Sequence, residues 1–128
     1  MMRALFAIVC LSGCQSVADG AREEFSSANT CPIERVEARE RTDVKPSQLR
    51  RKVDPPPDIA GDPGRLKLWQ DKRAKSNAYD DESHYIVEVR GCDQHEFYEC
   101  RHPGSGSTPG VRWMCTVDHY VPDTISKW

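Results

Sequence analysis

Apolar and polar positions fall into stretches of different character along the chain. Residues 4–11 form a short, nearly unbroken apolar run after the basic start Met1-Met2-Arg3. Residues 15–30 are rich in Ser, Ala, Gly and Asp and read as a flexible tether, with Val17 and Phe25 as isolated apolar positions. In Ile33 to Thr42, Val36 and Ala38 alternate with Arg35, Glu37 and Arg39, which favours a short edge strand whose charges discourage stray pairing, with a helix as the competing reading because Glu, Arg and Ala propagate helices well. Val44 to about residue 61 reads as a proline-rich connector, with Pro55-Pro56-Pro57 in extended polyproline geometry. Asp62-Pro63 is a helix start: Asp caps free backbone N–H groups and Pro suits the first helical position. That helix is predicted to run to about Ser76, followed by an exposed turn over Asn77 to Ser83.

The clearest alternation comes later. His84 to Arg90 places Tyr85, Val87 and Val89 on one face, and His95 to Arg101 puts Phe97 and Tyr98 on opposite faces. Val111 to Asp118 aligns Val111, Trp113, Cys115 and Val117. These β-branched and aromatic runs, separated by turn residues, predict strands. The expected architecture is α+β: one helix packed on a small antiparallel meander of three to four strands, stapled by disulfides. The helix from Pro63 is expected to cover the Tyr85, Val87 and Val89 face, with Trp69 and Trp113 in one core and Trp128 exposed.

Leu11-Ser12-Gly13-Cys14 closes the apolar run. A basic start and an apolar segment shorter than the roughly 20 residues of a spanning helix have the layout of a secretory signal. The four residues resemble the lipobox of bacterial lipoproteins. The resemblance implies a signal peptide over 1–13, cleavage after Gly13, a diacylglycerol thioether on Cys14 and an acylated new N-terminus. The partner it implies is a membrane, reached through the lipid anchor, with an envelope protein as a further candidate. Gln15 and Ser16 follow, with no Asp to signal inner-membrane retention. By the same resemblance this implies the outer membrane, facing the periplasm or the cell surface. An ordinary signal cut at Ala18 is the competing reading. Cys31-Pro32, the set Asp62, Pro63, Leu66 and Trp69, and Gly91-Cys92 followed by Tyr98-x-Cys100 resemble small lipoproteins of myxobacteria; that similarity implies no activity.

Removing Arg3 with the signal takes the formal net charge from −2 to −3, which excludes a nucleic-acid binder by charge. About 115 residues then remain for the tether (14–30) and one small domain (31–128). So short a chain buries a limited fraction of its surface, and covalent staples help it. Cys31, Cys92, Cys100 and Cys115 form an even set in an exported chain and read as a disulfide framework. Cys100–Cys115 with Cys31–Cys92 is the favoured pairing. The first would bridge the ends of the Gly/Ser loop, and the second would tie the domain's start to the first hairpin. The alternative is a small periplasmic metalloprotein or hydrolase. Cys92-x2-His95 and Cys115-x3-His119 have spacings that a tetrahedral zinc site uses. An oxidising compartment argues against free thiolates, so no metal or other cofactor is expected. Glu88, Glu96 and Glu99 offer a carboxylate pair across strands, or a solvated acidic face. No nucleophile elbow, metalloprotease helix or phosphate loop is present.

Overall fold

The computed structural model describes residues 15–102 and 112–128. The apolar run, the lipobox with Cys14, the loop 103–110 and Val111 lie outside the described residues. Helix α1 spans Val17–Ala28, β1 Glu37–Glu40, α2 Pro57–Ala60, α3 Pro63–Ser83, β2 His84–Gly91, β3 Gln94–Arg101 and β4 Met114–Asp118. The strands form one antiparallel sheet in the order β1-β2-β3-β4. This is the expected α+β meander with a helix on it, closed by two disulfides.

The covering helix is not the expected one. Residues 15–30 are no tether: Ser16 caps α1 by accepting from the Asp19 amide, and Val17, Gly20, Ala21 and Phe25 turn inward. These positions recur every three or four residues and make one narrow apolar face. With Val36, Val87, Val89, Tyr98 and Cys100 they form the main core, where Phe25 meets the edge of Tyr98. Outside that core, Arg22 donates to the carbonyls of Ile33 and Val36, and Ser26 to that of Cys31. Gly20 permits the close approach of α1 to the sheet. A Cβ there would lie 2.8 Å from the Cβ of Trp113.

The opposite face of the sheet carries a second, smaller cluster of Val44, Leu49, Ile86, Phe97 and Ile125. The stretch expected as a connector is thus partly built in. Pro46–Leu49 forms a 3₁₀ turn with Pro46 and Leu49 buried, and the third proline of Pro55-Pro56-Pro57 opens α2.

Both sheet faces are therefore covered without α3. Asp62 caps α3 and Pro63 opens it, as expected, but the helix continues through the predicted turn to Ser83 and buries none of its residues. Trp69 is half-buried against Arg73, 5.0 Å from the ring centre, and is not in the core with Trp113. Trp113 packs edge-on to Tyr85 and donates its indole N–H to the Gln15 carbonyl at 3.0 Å.

The β2–β3 hairpin turns on Cys92 and Asp93, both at positive φ, the conformation a two-residue type I′ turn requires. Gly91 lets the Arg35–Val36 backbone pass, since a Cβ would lie 2.7 Å from the Arg35 oxygen. Cys31–Cys92 ties this turn to the segment after α1, and Cys100–Cys115 joins directly opposed residues of β3 and β4. The favoured pairing of the sequence is the one formed.

Candidate functional site

The disulfides remove the Cys/His zinc set. Cys92 and Cys115 are bonded to Cys31 and Cys100, so neither offers a thiolate. His95 points to the other sheet face, where its Nε2 lies 2.8 Å from Glu88, and His119 is exposed. The polar chemistry of the fold collects instead on the face opposite α1, in two networks flanking the smaller apolar cluster.

The first surrounds Glu88. Strand alternation puts Glu88 opposite Val87 and Val89, on a face the sequence suggests is wet. The C-terminal segment folds over it, leaving the side chain fully buried. Arg41, itself 5 % exposed, donates to Glu88 at 2.5 Å and to the Ser126 carbonyl at 2.7 Å. Arg39 lies 3.4 Å from the same carboxylate, and the Trp128 amide donates to its other oxygen. Burial opposes ionisation of Glu88, but the Trp128 amide, Arg41 and His95 outweigh it and hold its pKa below the usual carboxylate value. Hydrogen bonding to Asp43 raises the Arg41 pKa further, and the same bond lowers Asp43 to about 2. Trp128, exposed as expected, lies across Arg90 and Arg39, at 4.0 and 4.8 Å from its ring centre.

The second network joins the 3₁₀ turn, the end of α3 and the sheet. Arg50 grips both oxygens of Glu99, at 2.5 and 2.7 Å, and reaches Asp80 at 3.3 Å. His84 Nδ1 lies 2.5 Å from Glu99, and Asp81 accepts from the amide and hydroxyl of Ser47. Burial works against the charge of Glu99, while Arg50 and His84 lower its pKa. Asp118 is left over: burial and the neighbouring Glu99 push it up to about 6, and its Oδ2 has no hydrogen-bond partner. In the sequence Leu49-Arg50-Arg51, Leu49 is thus core and Arg50 structural, while Arg51 stacks on Tyr120.

Asp80, His84 and Glu99 bring ligand-type atoms within 4.8 Å of one another. Arg50 already supplies the positive charge between the two carboxylates, so a cation would have to displace it. Of the three candidate carboxylates, Glu88 and Glu99 sit in separate networks, and Glu96 lies on the α1 face, accepting from Tyr98 and Asn29. The Ser47 hydroxyl of the second network donates to Asp81, and the His84 ring is engaged with Glu99. Glu88 and Glu99 are both neutralised by arginine and point at protein, so their chemistry is that of pins holding peripheral segments to the sheet. What the alternation of the strands did signal is the placement of His84, Glu88 and Glu99 on one face; the arginines that meet them arrive from β1 and its continuation and from the 3₁₀ turn. Among the described residues no helix is long and apolar enough to cross a membrane. Comparison with family models, curated proteins and solved structures gives no match.

Proposed function

We propose that this protein is a lipid-anchored lipoprotein of the bacterial cell envelope, held most simply at the outer membrane, with a non-catalytic binding or structural role. The observation that carries the reading is the position of the lipobox against the fold. Cys14 stands one residue before Gln15, whose carbonyl holds the Trp113 indole, and Ser16 caps the helix whose face fills the core. Three residues of extended chain reach only about 10 Å. An anchor on Cys14 would seat the domain against the bilayer rather than suspend it on a tether. Cleavage at Ala18 instead would remove the Ser16 cap and the buried Val17, which favours the lipobox site. Two disulfides suit an exported chain. The arginine-neutralised carboxylates support a role without catalysis.

The test is metabolic labelling with a fatty acid, followed by fractionation, of the wild type and Cys14→Ser. The expected result is a labelled, membrane-bound wild type and an unlabelled variant in the soluble fraction. Unchanged membrane partition of the variant would remove the basis of the reading.

A further inference from the structure

Helix α3 poses a question that the two cores do not answer. It is 21 residues long, and none of them is buried. Arg65, Leu68, Lys72, Lys75 and Tyr79 follow one another at intervals of three and four, so they form a single line along the helix. All five are exposed, Leu68 at 71 % and Tyr79 at 69 %. Arg65 is engaged with Asp58, and Lys67, just off the line, with Asp71. Lys72 and Lys75 have no acidic partner among the described residues. The line from Leu68 to Tyr79 is about 16 Å long at the rise of an α-helix. It presents two uncompensated cations between two amphipathic or apolar side chains. Lysine stems and tyrosine rings lie well at a boundary between apolar and polar media.

We propose that this stripe of α3 is a contact surface for an anionic phospholipid bilayer. The choice of a bilayer as partner rests on the lipoprotein reading together with the topology. Strand β2 begins at His84, where α3 ends, and His84 pairs with Arg101, which pairs with Met114. Trp113, one residue earlier, binds Gln15. The end of α3 and Trp113, which holds the residue next to Cys14, therefore lie at the same end of the sheet. A chain anchored at Cys14 brings that end, and α3 with it, to the membrane surface. The charge then decides the orientation, because lysines are attracted to anionic head groups. The stripe is too polar to anchor the protein alone and acts as the second signal that complements acyl chains.

The test uses the mature chain, residues 14–128, carrying Cys14→Ser, so that neither the signal segment nor an acyl chain contributes. Its partition is compared between vesicles of phosphatidylcholine alone and vesicles half phosphatidylglycerol, in low and high salt. The expected result is preferential binding to the anionic vesicles that salt reverses. Lys72→Gln and Lys75→Gln should each weaken it about fivefold, and together about 25-fold, from the energy of one basic residue at an anionic surface. Leu68→Ser should weaken it as well, and all three positions are exposed, so circular dichroism should be unchanged. Equal partition into both vesicle types, no binding, or binding unaffected by the double lysine variant would overturn the proposal and leave the stripe to a protein partner. Fatty-acid labelling of the wild type reports separately on lipidation, so either idea can fail without the other.

Discussion

Phe25→Ala tests whether α1 belongs to the core. The side chain is fully buried, packs edge-on to Tyr98 at 6.4 Å, and is the bulkiest side chain that α1 contributes. Truncating a buried Phe to Ala typically costs about 3–5 kcal/mol where the site does not collapse. Collapse is restricted here. Gly20 already brings α1 against Trp113, Arg22 ties it to the Ile33 and Val36 carbonyls, and Cys31–Cys92 fixes the segment that follows. The lost aromatic pair is worth roughly another 1 kcal/mol. A loss of about 4 kcal/mol is a large share of the roughly 5–15 kcal/mol by which such domains are stable. In urea, at a slope of about 2 kcal/mol per molar, the unfolding midpoint should fall by about 2 M. The disulfides stay oxidised in both proteins, so the reference states are comparable. Trp69→Ala is the control. Its ring is half-buried against Arg73 on a helix with no buried residue, and its cost should stay below about 1 kcal/mol. A Phe25→Ala midpoint within 0.3 M of wild type, taken as roughly the scatter of such fits, would refute the packing of α1, and a larger loss from Trp69→Ala would reverse the account of both helices.

Other perturbations read the networks and staples. Asp118 has its pKa raised to about 6, so the fold favours its protonated form; that contribution is full below the unfolded value of 3.8 and is lost as pH rises through 6. Asp118→Asn should therefore stabilise the domain by about 1–2 kcal/mol near neutral pH, after allowance for its partial exposure, and by almost nothing near pH 4 in the same urea titration. Arg41→Ala leaves the buried Glu88 without its closest cation and should cost about 3 kcal/mol at neutral pH. Glu88 has a lowered pKa, so its pairing is fully present above the ordinary value of 4.5 and fades as pH falls through the folded value, and the Arg41→Ala cost should shrink in acid. Removing Cys31–Cys92, which spans 61 residues, should cost about 4 kcal/mol against about 3 for Cys100–Cys115, which spans 15, in paired Cys→Ser variants followed by thermal melting.

The strands were legible because alternation survives wherever one face of a sheet is buried: Tyr85, Val87 and Val89 announce β2 directly. Cysteine parity made a disulfide framework legible, and the layout of the hairpin favoured, among the three pairings that four cysteines allow, the one that forms. Helix α1 hid because its apolar face is narrow and built from small residues, Gly20 and Ala21, between Val17 and Phe25. The usable signal was Ser16 with an acidic residue three positions on, a helix-start signature. The helix from Pro63 misled in the opposite sense. Its cap was plain, but a Trp on a helix does not say whether the core has room, and the room had been taken by α1 on one face and by Val44, Leu49 and Ile125 on the other. The burial of Glu88 was illegible for a related reason. A glutamate in a strand reads as solvated until the segments at 41–43 and 125–128, distant in sequence, close over it with their own donors.

The lipid anchor at the boundary of a domain without a tether is the central claim, and the intact mass of the membrane-extracted protein, before and after reduction, tests it most directly. The account predicts a chain that begins at Cys14, heavier than residues 14–128 by a diacylglyceryl group and an amide-linked acyl chain. Reduction should add four hydrogens, two for each disulfide. The mass of an unmodified chain that begins at Met1 or near Ala18, or of a Cys14 chain with no lipid, would contradict it.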